Sequence, residues 1–143
     1  MPRPLKTATY SIQVFSDDTN LDAYQGQGVW TRDPQLGYQE WQLDLVSETP
    51  EGTGIYTIKT TVPQYEGKCL EATAQGGEVV LRDYNPDKLS QLWVVDLGQE
   101  QTAIESRKFR ALVLTANGVD TAVTLKEKQG ESPAQTWSFY NKG

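Results

Sequence analysis

The sequence predicts an all-β protein, a closed barrel made from three similar repeats of four short strands each. Three observations carry that prediction. A Gln-x-Trp triplet occurs three times, as Gln39-Glu40-Trp41, Gln91-Leu92-Trp93 and Gln135-Thr136-Trp137, and takes up three of the chain's four tryptophans. After each of these tryptophans, apolar residues return at every second position. Turn-forming residues punctuate the chain at regular intervals, and no segment holds a helical period.

The strand behind each triplet reads Trp41, Leu43, Leu45, then Trp93, Val95, Leu97, then Trp137, Phe139. A period of two marks a half-buried strand with its tryptophan side facing inward. Nine positions before each Gln stand Trp30, Arg82 and Lys126, each preceded by an apolar residue, Val29, Leu81 or Leu125, so a second strand lies there. Further back come Leu21-Asp22-Ala23, Leu70-Glu71-Ala72 and Leu112-Val113-Leu114. The last two extend in similar fashion to Gly76 and Gly118. Each repeat opens on another alternating segment: Tyr10-Ser11-Ile12-Gln13-Val14, Ile55 to Ile58, and the weaker Thr102-Ala103-Ile104.

Turns are expected at Gly26, Gly28, Asp33-Pro34, Pro50 to Gly52, Gly76-Gly77, Asn85 to Asp87 and Asn117-Gly118. The repeats then span about 8–48, 54–98 and 101–140 of one domain covering 1–143, with loose tails near 1–7 and 141–143. Threefold repetition of short strands favours closure, because a closed barrel leaves no exposed edge.

Composition narrows the chemistry. Thirteen basic against nineteen acidic residues give a net charge of −6, which disfavours nucleic acid and anionic membranes as partners. No histidine is present, which removes the usual general base and metal ligand near neutral pH. The single cysteine, Cys69, cannot form an internal disulfide and reads as a small buried apolar residue. Accidental carboxylate pairs such as Asp17-Asp18 and Glu48 with Glu51 read as solvated loops rather than a glycosidase dyad. The sequence therefore predicts no enzyme, no cofactor and no metal site. The N-terminal Met1-Pro2-Arg3-Pro4-Leu5-Lys6 lacks the apolar stretch of a secretory signal, so the expectation is a cytoplasmic protein, or one released without a conventional signal peptide. No apolar run approaches the ~20 residues of a membrane span.

Gln and Trp two apart on a strand point the same way, so the indole can fill a core while the amide satisfies turn backbone groups. The triplet thus reports structure first. Three such triplets, with a Lys-Cys-Leu-Glu-Ala run at residues 68–72, resemble the ricin-B-type lectins over about residues 9–140. That resemblance implies a β-trefoil: a six-stranded barrel closed at one end by three hairpins around a pseudo-threefold axis. It also implies carbohydrate binding, with galactose or N-acetylgalactosamine termini as the family expectation. The missing disulfide cysteines make the chain similar in character to small fungal-type trefoils.

A shallow site for a neutral sugar needs an acceptor for hydroxyls and a flat apolar platform for C–H bonds. In the lectins it resembles, the acid sits in the strand matching Leu21-Asp22-Ala23 and the aromatic near the start of the strand leading to Gln-x-Trp. The first repeat supplies both, Asp22 and Trp30, with Tyr38, Asn20, Tyr24 and Gln39 completing the expected site. Trp30 should face outward, since the other repeats carry Arg82 and Lys126 at the compared positions and charges are rarely buried unpaired. Asp22 also reads as an ordinary solvated or turn-capping group.

A weaker second site is expected around Glu71, Tyr84 and Gln91, with Arg82 in place of the aromatic. The third repeat, with Val113 and Lys126, is expected to be silent. Such lectins often place Asn directly before the Gln, where this chain has Tyr38, Ser90 and Ala134, and Tyr38 is the substitute. Since single sites of this kind bind near ~1 mM, useful avidity calls for a homodimer or a multivalent glycan target.

Two other readings stay open. Trefoil protease inhibitors of the mycocypin type share the Trp-bearing repeats, and residues 60–67 and 84–89 are the candidate inhibitory loops. A surface for protein interaction alone is the other.

Overall fold

In the computed structural model, residues 8–23, 28–34, 37–73 and 77–142 are described. Thirteen strands form among them: β1 (Ala8–Val14), β2 (Asn20–Asp22), β3 (Trp30–Arg32), β4 (Trp41–Glu48), β5 (Gly54–Thr60), β6 (Lys68–Glu71), β7 (Val80–Asp83), β8 (Trp93–Val95), β9 (Ile104–Ser106), β10 (Leu112–Thr115), β11 (Thr121–Ala122), β12 (Thr124–Glu127) and β13 (Trp137–Asn141). Short 3-10 turns cover Pro63–Tyr65, Leu89–Gln91 and Pro133–Gln135.

Six strands close the barrel. Antiparallel pairing runs from β13 to β1, β4, β5, β8 and β9 in turn. The ring closes where Thr102 and Trp137 exchange both backbone hydrogen bonds at 2.9 Å. The β4–β5 hairpin pairs Trp41 with Thr60 and continues to Glu48 opposite Gly54, with a bulge that leaves Val46 exposed. Gly54 is required there because a side chain would collide with the Tyr56 ring.

Three hairpins, β2–β3, β6–β7 and β10–β12, cap the barrel. They are stitched head to tail. Val123 N donates to Val29 O at 2.9 Å, and Val79 N donates to Val123 O at 3.2 Å. Bridges join Gly28 to Val80 and Glu78 to Thr124, while β11 lies on β3 with Ala122 opposite Trp30. All three valines are fully buried at this junction.

The architecture is thus a β-trefoil, as expected. Its core repeats the same residues three times. Ile12, Ile58 and Ile104 line the barrel, and Trp41, Trp93 and Trp137 fill it with no exposed surface. Each indole N–H donates to a leucine carbonyl of its own repeat: Leu21 at 2.9 Å, Leu70 at 3.2 Å and Leu114 at 3.1 Å. A buried indole needs such an acceptor, so one bond fixes the register of each capping hairpin on the barrel.

Those bonds correct the sequence register. Leu114, not Leu112, corresponds to Leu21 and Leu70, so Thr115 rather than Val113 occupies the acid position of the third repeat. Cross-strand pairing sets Asp22 opposite Trp30, Glu71 opposite Val80 and Thr115 opposite Thr124. Trp30 therefore corresponds to Val80 and Thr124, and Arg82 and Lys126 correspond to Arg32. The cause is a connection into Gln39 that is two residues shorter than those into Gln91 and Gln135. A second correction concerns the C-terminal tail: Asn141 pairs with Tyr10, and Lys142 N donates to Thr9 O at 2.7 Å, so neither is loose.

Candidate functional site

The triplet glutamines sit where barrel meets cap, and all three are buried. Gln91 Nε2 donates to Glu71 Oε1 and to Asp83 O, both at 2.9 Å, while its Oε1 accepts from Asn85 N at 2.8 Å. Gln135 repeats the pattern with neutral partners: Thr115 Oγ1 at 3.2 Å, Glu127 O at 2.9 Å and Gln129 N at 2.8 Å. Each amide satisfies turn backbone groups that would otherwise be buried unpaired.

Gln39 does the same and more. Its Nε2 donates to Asp22 Oδ2 at 3.0 Å and Asp33 O at 2.8 Å, and its Oε1 accepts from Asn20 Nδ2 at 2.9 Å. Asp22 faces Trp30 across the β2–β3 ladder, and Asn20 faces Arg32. Asn20, Asp22, Trp30, Arg32 and Gln39 therefore share one face of the first repeat, since paired and alternate residues point the same way.

Exposure within that face differs from expectation. Trp30 is partly buried, and the register that suggested an outward ring was two residues out. A slip of two keeps the face. Asp22 is 0 % exposed, so it acts as an interior strut for Gln39 and not as a solvated acceptor. Tyr38 is half-buried and stacks on Tyr65, with centroids 6.5 Å apart and planes at 28°, so one ring face is already covered. Tyr24 lies outside the described residues.

Beside Asn20 and Gln39 opens a pocket of about 250 Å³, lined also by Ser11, Pro34, Gly37, Glu40 and Lys142. Glu40 and Lys142 were not singled out from the sequence. Glu40 had a signal: as the middle residue of Gln-x-Trp it must point away from the core, beside Gln39. Lys142 had none, because its place depends on β13 pairing with β1.

The second repeat departs further. Glu71 keeps the acid, but Arg82 Nη1 lies 3.9 Å from its Oε2 and Lys88 Nζ 3.5 Å from its Oε1. Tyr84 is exposed, and the Lys59 ammonium rests 4.3 Å over its ring. An occupied face is not a free sugar platform. In the third repeat Lys126 Nζ donates to Asn117 Oδ1 at 3.3 Å. A larger open depression of about 770 Å³ borders Gln135, with Arg110, Lys128 and Glu131 on its walls.

Among the described residues no three Cys, Asp or Glu side chains converge as a metal would need. Burial pushes the Cys69 thiol up to about 12, in line with an inert apolar role. The Asp17-Asp18 pair behaves as a turn: both are exposed, and Asp17 Oδ1 accepts from Thr19 N at 3.1 Å. Of the candidate inhibitory loops, residues 60–67 are tied down, since Val62 is in the core and Pro63–Tyr65 forms a 3-10 turn. Residues 84–89 stay exposed.

The ricin-type β-trefoil lectin domain matches residues 8–137. The chain belongs to that family. Lectins of this family are carbohydrate-binding domains. Among solved structures the chain is similar to the designed threefold-symmetric protein ThreeFoil, with a TM-score of 0.72, 20 % identity, and 92 % of this chain and 97 % of that one covered. It is also similar to the C-half of the earthworm R-type lectin, solved with GalNAc: TM-score 0.65, 16 % identity, 94 % and 99 % covered. The Polyporus squamosus lectin, bound to a Neu5Aca2-6Galb1-4GlcNAc epitope, matches with TM-score 0.72 and 16 % identity over 94 % of this chain and 49 % of that one. No curated protein matches the sequence significantly.

Proposed function

We propose that this lectin-family chain binds carbohydrate at one principal site in the first repeat. The observation that carries the reading is the union of acid, amide pair and indole at one point: Asp22 opposite Trp30, holding Gln39, which holds Asn20. The other repeats place Val80 and Thr124 where Trp30 stands. In this reading sugar hydroxyls meet the Asn20 amide and the Glu40 carboxylate in the pocket, and the Trp30 ring takes the C–H face. Asp22 is a positioning residue that orients Gln39. A galactose or N-acetylgalactosamine terminus is the ligand class, as expected from the family.

A glycan array of the wild type beside Trp30→Ala, Asn20→Ala and Asp22→Ala tests this. The expected result is galactoside binding that falls about tenfold or more for Trp30→Ala and Asn20→Ala, the weight of about 1.4 kcal/mol. No glycan bound by the wild type sinks the lectin reading. Binding that survives all three substitutions moves the site elsewhere.

A further inference from the structure

The second repeat keeps the acid and the glutamine of the first yet surrounds them with cations. Lys59, Cys69 and Arg82 sit on one rung across β5, β6 and β7. Tyr84 follows Arg82 by two residues and reaches under Lys59. Lys88 stands just before the turn that delivers Gln91, and Lys68 pairs with Asp83 at 4.0 Å.

The Glu71 side chain is only 10 % exposed, and both its oxygens are engaged: Oε1 by Gln91 and Lys88, Oε2 by Arg82. Its burial and these flanking cations, rather than a lack of lone pairs, keep it from standing as an open acceptor for sugar hydroxyls. The cations have the reverse property. The Arg82 and Lys88 side chains are 57 % and 46 % exposed, and their contacts with Glu71 are long, at 3.9 and 3.5 Å. A guanidinium carries five donors and an ammonium three, so most remain directed at solvent. In the first repeat, by contrast, Arg32 Nε is held at 3.2 Å by Asp120. The polarity of the site has been inverted, from an acceptor to a cluster of donors. Nearby acids set a limit on its field: Lys59 is paired with Asp44 at 3.3 Å, and Asp83 and Asp87 are exposed. Recognition must therefore be local and geometric, through Arg82 and Lys88, rather than by long-range attraction.

We infer that the second repeat is a site for an acidic saccharide, one whose carboxylate or sulfate bridges Arg82 and Lys88 beside the Lys59–Tyr84 pair. This rests on the reading of the chain as a glycan binder, but on different residues from the first-repeat site.

Calorimetric titration of the full chain compares a neutral galactoside, the same galactoside bearing a sialyl or sulfate group, and inorganic sulfate. The acidic forms are expected to bind at least about tenfold more tightly than inorganic sulfate and to weaken as salt rises. Arg82→Gln with Lys88→Gln should abolish the acidic contribution while leaving neutral binding, and Trp30→Ala should do the opposite. Glu71→Gln, nearly isosteric, frees both cations and should tighten acidic binding several-fold, a gain that a merely structural role could not give. Equal affinity for inorganic sulfate and the acidic sugars, or acidic binding indifferent to the Arg82/Lys88 change in a folded variant, overturns the inference. Loss of neutral binding alone counts against the first-repeat site and leaves this one standing.

Discussion

In the first repeat Gln39 ties Asp22 to Asn20, with Trp30 across the strand pair from Asp22; in the second, Gln91 ties Glu71 to backbone groups while Arg82 and Lys88 close on the acid from outside. The two glutamines make the same pair of donations, to a carboxylate and to a strand-end carbonyl, and both lead into a fully buried tryptophan. What differs lies on the neighbouring strand and in the next loop. The frame is common to every repeat because burial demands it, and each surface is set by residues the frame does not constrain. A triplet therefore locates a potential site without specifying its ligand.

The largest effect that could break this equivalence is loss of a core indole. Trp41→Ala, Trp93→Ala and Trp137→Ala should each cost about 3–5 kcal/mol, since each removes a filled volume and strands a leucine carbonyl. That is a large share of the about 5–15 kcal/mol by which such a domain is stable. Urea unfolding of all three variants checks it. One variant markedly milder than the others would show that its repeat is not held by the same frame.

How much of this was legible follows from the same distinction. The triplets and the inward stripes were readable because a period of two and three tryptophans leave few alternatives. The register of the third repeat was not. Leu112 and Leu114 are two apart, and sliding a strand by two residues returns every side chain to its own face, so no hydrophobic pattern rejects the slip. The bonds from Trp137 to Leu114 and from Gln135 to Thr115 do. The burial of Asp22 was equally hidden, because its cover comes from Gln39 seventeen residues away. The cations around Glu71 were visible as letters, but their convergence on one carboxylate depends on β6–β7 pairing and on the turn at Leu89–Gln91.

An intermediate effect sharpens the comparison among glutamines. Gln39 and Gln91 donate to carboxylates, and Gln135 donates to a hydroxyl. Hydrogen bonds to charged groups contribute about 1.5–3 kcal/mol, against about 0.5–1.5 for neutral ones. Gln39→Ala and Gln91→Ala should therefore destabilise the fold more than Gln135→Ala, by about 1 kcal/mol. A double-mutant cycle of Gln91→Ala with Glu71→Ala should recover much of the excess, because the buried carboxylate is then gone as well. Equal costs in all three repeats would mean that the amide's bonds to the turns, and not to the acid, dominate.

The smallest effect concerns two tyrosines inside the barrel. Tyr10 and Tyr56 hold corresponding places, opposite Trp41 and Trp93, and both hydroxyls are buried without a hydrogen-bond partner among the described residues. Tyr56→Phe removes a desolvated group that returns nothing, so it should be neutral or stabilising by up to about 1 kcal/mol near pH 7. Burial, reinforced by Tyr10, Asp96 and Glu48, pushes the Tyr56 hydroxyl from 10.0 up to about 12, and burial moves Cys69 from 9.0 to about 12. Both groups are raised in the folded state, so the fold retains protons that the unfolded chain gives up. The stability linked to them is fully present below their unfolded values and is lost as pH climbs through the folded ones. Unfolding midpoints should be insensitive to both titrations well below pH 9.0, decline as Cys69 ionises in the unfolded chain around 9.0, and decline faster above 10.0. In Tyr56→Phe the slope above 10.0 should be shallower while the Cys69 onset stays in place. An unchanged slope would show that the Tyr56 hydroxyl reaches water or a partner, so that its burial does not hold the proton in the folded state.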